Sequence, residues 1–149
     1  MARPDLISAL FYQDPRAAIA WLQRAFDFQL SMLLEDASGA VVHAEMGFGS
    51  GAVMLGGEWS EAHQSPRSTN GKCTQTVHVH IETDIQAHFA RAKASGAEIL
   101  TEPTYQFYGD ETYSCRDPEG HIWSIAQTVR TVTREEAEAA TGLKITGWI

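Results

Sequence analysis

The sequence is poor in positive charge. Its 149 residues include 11 lysine and arginine side chains against 19 aspartate and glutamate side chains, which gives a formal net charge of −8. Binding to the phosphate backbone of a nucleic acid needs clustered lysine and arginine, so nucleic acid is excluded as the expected partner. An acidic surface instead tolerates, and can attract, a cationic small molecule.

Cysteine and long apolar runs are also scarce. Cys73 and Cys115 are the two cysteines and form no CxxC pair, which favours free thiols in a reducing compartment. The opening stretch, MARPDLISALFYQD, has one arginine and is interrupted by Asp5, unlike a signal peptide. No stretch is long enough to span a membrane. We therefore expect a cytoplasmic protein without a membrane partner.

Hydrophobic residues make up 44% of the chain, enough to build a core. The first half predicts a strand from Ile7 to Tyr12 and then a helix capped by Asp14 and started by Pro15. Three strand-like segments follow, QLSMLLE, AVVHAEMGF and AVMLGG, and Gly47, Gly49 and Gly51 are expected to mark their turns.

The second half repeats this order. TVHVHIE predicts a strand, and Thr83 or Asp84 caps a helix that Gly96 ends with a left-handed residue. Three further strands are predicted in AEILTEP, TYSCRD and HIWSIAQT. The helix caps Asp14 and Asp84 stand 70 positions apart, which favours a duplicated βαβββ module over coincidence.

The predicted organisation is a single α+β domain with two tandem βαβββ modules. Module 1 covers about residues 5–57 and module 2 about 75–128. Residues 58–74 between them are rich in Gly, Ser, Asn and Pro and predict a linker or mobile loop. In the tail, 129–149, Thr133 and Glu136 fit a capping box and Gly142 fits a helix stop, so a short C-terminal helix is expected.

The tandem modules, the Asp-Pro helix start and the phrase DPEGHIWSIAQ together resemble the vicinal oxygen chelate superfamily. This superfamily includes glyoxalase I, extradiol dioxygenases and bleomycin-resistance proteins. The phrase YGDETYSCRDPEGHIWS looks closest to the small bleomycin-resistance-like and PhnB-like group. The resemblance covers about residues 5–128 and implies sheets curled around a cleft, together with a homodimer in which modules pair across a two-fold axis.

The resemblance also implies where a divalent metal would bind, with one ligand from the first and one from the last strand of each module. Counting from the landmarks of this sequence places Ile7, Met54, Val77 and Ser124 at those positions. Isoleucine and valine offer no lone pair, a neutral serine hydroxyl is a poor ligand, and a thioether suits soft copper. We therefore expect no metal and no cofactor.

The sequence leaves the register of the strand TVHVHIE open. Alternation places Val77 and Val79 on one face of the strand and His78, His80 and Glu82 on the other. If the apolar face packs against a helix, the ligand-equivalent position moves to Thr76 or to His78, and the histidines face the cleft. Alternate residues on a strand lie about 6.5 Å apart, so all three polar side chains cannot chelate one ion tightly.

The expected function is metal-independent binding of a small cationic or aromatic molecule, as the resemblance to bleomycin-resistance proteins implies. Aromatic walls with a few polar groups suit such a ligand. The expected ligand-binding residues are Trp59, His78, His80, Phe107, Tyr113 and Ser124, and no catalytic residue is assigned.

Three alternatives stay open. A glyoxalase-like lyase or isomerase, or a dioxygenase, could hold a metal through the His78, His80 and Glu82 face. His43 and Glu45 alternate on one strand and could act as a base and its acid partner, although a solvated strand face is the favoured explanation because no nucleophile or electrophile is in sight. The cleft could also be vestigial. The sequence does not name a ligand.

Overall fold

A computed structural model describes residues 2–149, and it has the predicted order of elements. Module 1 comprises β1 (Ser8–Tyr12), α1 (Pro15–Phe26), β2 (Gln29–Glu35), β3 (Val41–Phe48) and β4 (Gly51–Gly57). A short 3-10 helix (Pro66–Thr69) follows. Module 2 comprises β5 (Thr76–His80), α2 (Ile85–Ala94), β6 (Glu98–Tyr105), β7 (Asp110–Arg116) and β8 (Ile122–Thr128), and α3 (Arg134–Thr141) follows it.

Each module forms one four-stranded sheet with the same topology. Sheet 1 has the order β1-β4-β3-β2 and sheet 2 the order β5-β8-β7-β6. In both sheets the first and last strands of the module pair in parallel, and the other neighbours pair antiparallel. The α+β fold with two βαβββ modules and a C-terminal helix is thus confirmed.

The predicted helix boundaries rest on side-chain caps that the structure contains. The Asp14 carboxylate accepts a hydrogen bond from the backbone N–H of Ala17, and the Asp84 carboxylate caps α2 in the same way. Thr133 and Glu136 form the reciprocal capping box of α3. These caps satisfy backbone donors that the first turn of a helix leaves free, so each helix begins where its cap stands.

The structure differs from the predicted strands in two details. Gly47 and Gly51 lie within β3 and β4, so the tight turn comprises Gly49 and Ser50. β6 continues to Tyr105, further than AEILTEP suggested. The differences arise because pairing with a neighbouring strand extends a strand beyond its locally favourable residues.

Both sheets pack one face against a helix. Ala44 and Leu55 of sheet 1, and Trp123 and Ile125 of sheet 2, are fully buried on that inner face. Because successive strand residues point to opposite sides, the alternate residues lie on a second face that no helix within residues 2–149 covers. We call these two surfaces the open face of sheet 1 and the open face of sheet 2.

The modules contact each other mainly through α1 and α2. The indole N–H of Trp21 donates to the carbonyl of Ser95 at 2.8 Å, and the ring of Phe26 packs edge-on against Trp123 with 5.3 Å between centroids. These contacts belong to one hydrophobic core that both modules share.

The turn between β7 and β8 ties module 2 to β1 through a buried carboxylate. Asp117 accepts hydrogen bonds from the Tyr12 hydroxyl at 2.7 Å and from the Trp123 indole at 3.1 Å. Its other oxygen accepts from the backbone N–H groups of Glu119 and His121. Burial, reinforced by the Asp117 charge, holds the pKa of Tyr12 well above its usual value, so the phenol keeps the proton it donates.

Glu119 of the same turn fixes the segment between the modules. Its carboxylate accepts from the backbone N–H groups of Gln13 and Asp14 at 2.6 and 2.9 Å, and from the Ser65 hydroxyl at 2.6 Å. The 58–74 segment is therefore anchored to module 2 near its centre. Within residues 2–149, no helix is long and apolar enough to cross a membrane.

Candidate ligand-binding faces

The strand pairing of sheet 2 resolves the register of β5. His78 is paired with Ser124 across the parallel β5–β8 ladder, while Val77 is paired with the buried Trp123. His78 therefore stands beside Ser124 on the open face, and the position assigned to Val77 by counting was displaced by one residue. The cause is physical, because Val77 and Val79 pack toward the core and turn the histidines outward.

The open face of sheet 2 is polar around this pair. Ser114 is aligned with Ser124, and its hydroxyl lies 2.7 Å from that of Thr101 on the next strand. At one end of the sheet, the Nε2 atom of His80 lies 2.9 Å from the Thr128 hydroxyl. This surface can exchange neutral hydrogen bonds with a ligand.

The matching row on sheet 1 is largely apolar. Ala9 and Glu45 both align with Met54, one on each side. Ala9, not Ile7, is thus the residue beside Met54. Sheet 1 therefore presents the methyl group of Ala9, the thioether of Met54 and the carboxylate of Glu45. At the equivalent positions, sheet 2 presents the imidazole of His78 and serine hydroxyls.

These residues do not fit the metal site that the fold implies. The four corresponding positions are Ala9, Met54, His78 and Ser124, of which only the imidazole is a good ligand for Mg, Mn, Fe or Zn. Among residues 2–149, no group of three or more His, Cys, Asp or Glu side chains is placed to hold a metal ion.

An aromatic stack stands on the open face of sheet 1. The indole of Trp59 lies parallel to the imidazole of His63 with 4.0 Å between ring centroids, and Phe11 meets the same imidazole edge-on at 5.0 Å. The Ser60 hydroxyl fixes His63 through its Nδ1 atom at 2.7 Å. Trp59 nevertheless remains 68% exposed, so a large flat surface is held in place toward solvent.

A cavity of about 490 Å³ adjoins this stack. Its lining includes Phe11, Met54 and Trp59 on the apolar side and His43 and Glu58 as polar groups. Ligand pockets typically measure a few hundred Å³ and combine aromatic walls with a few polar groups, and this cavity has that character.

The pair of His43 and Glu45 is not a solvated strand face. The Glu45 side chain is only 12% exposed. Its Oε1 atom accepts a hydrogen bond from Arg3 at 2.5 Å and lies 3.4 Å from Nε2 of His43. The Glu45 carboxylate is thus mostly removed from water and is held by a charge-assisted hydrogen bond from an arginine.

A larger groove of about 1000 Å³ separates the turn between β3 and β4 from the free edge of β5. His78 and His80 line one side of it and Phe28 and Phe48 the other. On module 2 the corresponding turn carries Asp117 and its hydrogen bonds and closes against β1. On module 1 the turn between β3 and β4 is glycine-rich, and within residues 2–149 it forms no comparable set of side-chain hydrogen bonds. The groove is therefore open on this side.

His88 lies at the inner end of that groove. Its ring stacks on Phe26 with 5.4 Å between centroids, and its Nδ1 atom lies 2.6 Å from the Tyr113 hydroxyl. Its Nε2 atom is buried without a hydrogen-bond partner in the described part of the chain. Burial, with a smaller contribution from Arg91, lowers the pKa of His88 to about 4, so the imidazole is neutral at physiological pH.

The structure divides the six predicted ligand-binding residues among four places. His78, His80 and Ser124 share the open face of sheet 2, and Trp59 lies over the open face of sheet 1. Phe107 lies in the turn between β6 and β7, edge-on to Tyr108 at 5.2 Å. Tyr113 is not exposed at all.

Tyr113 belongs to the core because of its register on β7. It aligns with Ile125 of the inner face, whereas its neighbour Ser114 aligns with Ser124 of the open face. Its hydroxyl is satisfied by His88, and burial raises the pKa of the phenol far above its usual value. The polar, turn-like look of the surrounding sequence concealed this alternation, and Tyr113 is not part of the open face.

Two residues of the sheet 1 surface were not anticipated. Arg3 lies 42 positions from Glu45 in sequence, and no local pattern links them. His63 follows Trp59 by four positions within a loop, where spacing carries no periodic meaning. The only sequence signal was one tryptophan and one histidine in an otherwise polar linker.

Comparison with known proteins supports this architecture. A model of the Glyoxalase/Bleomycin resistance protein/Dioxygenase superfamily matches residues 6–125. The uncharacterized protein Rv0887c of Mycobacterium tuberculosis (strain ATCC 25618 / H37Rv) is 32% identical over 141 residues, which cover 92% of this chain and 82% of that protein.

Among solved structures, TioX from Micromonospora sp. ML1 superposes with a TM-score of 0.68 at 28% identity, covering 87% of this chain and 100% of TioX. TnmS3, an antibiotic binding protein from Streptomyces sp. CB03234, superposes with a TM-score of 0.64 at 13% identity, covering 86% of this chain and 97% of TnmS3. The second likeness shows the fold alone. The family match over most of the chain and the shared sequence of Rv0887c lead to one conclusion: this chain belongs to the glyoxalase/bleomycin resistance protein/dioxygenase superfamily.

Proposed function

We propose that this protein binds a small, flat organic molecule without a metal and so sequesters it. The observation that carries the proposal is the Trp59 stack. Its indole is exposed, yet it stacks on His63, which Phe11 contacts in turn, beside the sheet 1 cavity. A fixed aromatic surface costs little conformational entropy when a flat ligand stacks on it, which is the advantage of a prepared binding site.

The donor set argues against metal-dependent chemistry at the same place. Ala9, Met54 and Ser124 stand where a metal enzyme of this fold would need ligands, and His78 alone cannot replace them. Cys115 in the core is not an activated nucleophile, because burial raises the pKa of its thiol to about 12 and keeps it protonated. Binding is therefore the activity that the residues of this chain support.

The ligand would lie between two open faces that belong to different copies of the chain. Within one chain the helices, not the sheets, meet, and apolar side chains on the open face of sheet 1 such as Met32 and Leu34 remain exposed. A homodimer that places sheet 1 of one copy opposite sheet 2 of the other would cover them. The Trp59 stack of one copy would then face His78 and Ser124 of its partner.

The preferred ligand class is aromatic and cationic. The net charge of −8 favours a cation at long range, and aromatic rings attract a cation at contact. TnmS3 illustrates that the same fold can serve antibiotic binding. The widely separated thiols Cys73 and Cys115 suit the reducing cytoplasm as the place where such sequestration would occur.

A thermal-shift screen of flat aromatic compounds, followed by calorimetric titration, tests the proposal. Trp59→Ala should weaken binding of a compound found in the screen by about 1–3 kcal/mol, the usual effect of removing a buried aromatic contact. Ser124→Ala should cost no more than about 1 kcal/mol, since a serine offers one neutral hydrogen bond.

The matched control is Tyr105→Ala, which removes an exposed ring of β6 aligned with Glu111, on the inner side of sheet 2. It should leave affinity unchanged. Equal losses for Trp59→Ala and Tyr105→Ala would place the ligand elsewhere. A large loss at Ser124, together with turnover and a stoichiometric metal, would support the lyase or dioxygenase alternative.

A further inference from the structure

Glu45 is an unusual residue for the surface on which it lies. Its neighbours Ala44 and Met46 are fully buried on the inner face of sheet 1, so Glu45 itself points to the open face. An open-face glutamate is normally solvated, because removing a carboxylate from water is costly. Glu45 nevertheless retains only 12% side-chain exposure. Something must compensate its charge.

The compensating group comes from the N-terminal arm, residues 2–7, which precedes β1. The guanidinium of Arg3 donates to Oε1 of Glu45 at 2.5 Å. The arm must cross the open face to make this contact, because Glu45 is aligned with Met54 in the middle of the sheet. The Arg3 side chain is 63% exposed, so the carboxylate of this ion pair is mostly buried while the arginine is mostly in solvent.

Glu45 has capacity for a second partner. Both contacts, from Arg3 and from His43, are made to Oε1. Among residues 2–149, no donor forms a hydrogen bond with Oε2. A carboxylate can accept two parallel hydrogen bonds from a planar fork such as a guanidinium or an amidinium, and this arrangement is the strongest form of the interaction. Arg3 occupies only half of that geometry.

The cavity beside the aromatic stack approaches the same carboxylate, because His43 and Met54 line the cavity and both neighbour Glu45. His43 contacts Glu45 and also lines the cavity that Phe11, Met54 and Trp59 enclose. A flat molecule stacked against Trp59 could therefore extend a cationic end past His43 to Glu45. The two features together describe one site with an aromatic end and an anionic end.

We infer that Glu45 is the anchor for the cationic end of the ligand, and that Arg3 acts as a built-in competitor that the ligand displaces. The ligand class is a planar aromatic amidine or guanidine. This inference rests on the proposed binding function and adds to it the residue that selects the charge of the ligand. In the free protein the N-terminal arm would cover Glu45, and the ligand would displace Arg3 from the carboxylate when it binds.

Competition of this kind has a definite consequence for affinity. When the binding-competent state is only a fraction of the population, the apparent affinity falls by that fraction. Removing the Arg3 side chain should therefore tighten binding of an amidine. Removing the charge of Glu45 should weaken it by roughly tenfold or more, as expected for a charge-assisted hydrogen bond.

The test uses 4-aminobenzamidine, a flat cation, and 4-aminobenzamide, its neutral isostere, titrated into the full-length chain and variants. Arg3→Ala should bind the amidine several-fold more tightly than the unmodified chain. Glu45→Gln should bind it at least about tenfold more weakly than the unmodified chain does. The neutral amide should bind all three proteins equally. Arg16→Ala is the matched control, because it removes an arginine paired with an exposed glutamate, Glu35, away from this surface.

Each outcome is decisive. The competitor role of Arg3 is supported if Arg3→Ala binds the amidine more tightly than the unmodified chain does and Arg16→Ala does not. Equal affinity of the unmodified chain and Glu45→Gln for the amidine overturns the anchor, even if other flat compounds bind. If neither the unmodified chain nor Arg3→Ala binds the amidine while neutral aromatics bind, the cationic ligand class is wrong but the binding function stands. Failure of every flat compound, charged or neutral, would refute the binding function itself.

Discussion

The buried carboxylate of Asp117 should be one of the most sensitive positions for stability. Asp117→Ala removes the acceptor for four donors at once. Two of these donors, the Tyr12 hydroxyl and the Trp123 indole, belong to side chains that are at most 1% exposed. Water cannot replace the lost partner for either of them without opening the core.

The magnitude follows from the cost of buried donors without partners. Each costs about 1–3 kcal/mol, and partial relaxation of the turn reduces the contribution of its backbone donors. We therefore expect Asp117→Ala to lower the free energy of unfolding by about 3–5 kcal/mol. That is a large part of the roughly 5–15 kcal/mol available to a domain. Asp117→Asn keeps one oxygen acceptor and should lose less, about 1–2 kcal/mol.

Urea denaturation followed by circular dichroism measures these differences. Asp36→Ala provides a matched control, because the Asp36 carboxylate also accepts backbone hydrogen bonds in a turn, from Ser38 and Ala40, but lies in solvent. It should change stability far less than Asp117→Ala. Equal effects of the two substitutions, or a loss below about 1 kcal/mol for Asp117→Ala, would refute the argument that this network holds the modules together.

Two further predictions concern the inner core and the tail. In thermal or urea unfolding, Gly109→Ala should lower the free energy of unfolding by about 1–3 kcal/mol more than Gly39→Ala does. Both glycines have a positive φ, so both substitutions strain the backbone. At Gly109, unlike Gly39, the added Cβ would also lie 2.1 Å from the carbonyl oxygen of Arg130. Equal losses would show that the tail moves aside freely. The pKa of His88 is lowered to about 4 from 6.5, so the unfolded chain takes up this proton first as pH falls. Stability should be unaffected by His88 above pH 6.5 and should decrease between pH 6.5 and 4, by about 1 kcal/mol at pH 5 after allowing for partial solvent screening. His88→Gln should lack this component, and an unchanged pH profile in the variant would contradict the assignment.

The sequence predicts the fold well because its signals are local and occur twice. Asp14 and Asp84 cap helices in equivalent positions, and the strand segments follow each in the same order. Alternation along TVHVHIE also indicates correctly that His78 and His80 face away from the core. These features depend on backbone requirements that a few neighbouring residues express.

The candidate site is less predictable because it depends on contacts between distant segments. The register that places His78 beside Ser124 is fixed by the β5–β8 ladder, and counting from a motif missed it by one residue. Tyr113 has a polar sequence context, yet its register turns it into the core. The contact between Arg3 and Glu45 joins an irregular arm to the middle of a sheet, which no periodic pattern records.

Metal-independent binding is tested most directly by calorimetric titration of the EDTA-treated protein, with its metal content measured by elemental analysis. We expect far less than one divalent metal per chain before treatment, and the same affinity for a flat aromatic compound before and after treatment. Ala9, Met54, His78 and Ser124 would have no metal to lose. One Zn, Ni, Mn or Fe per chain, with binding lost on its removal and restored by its return, would contradict the account.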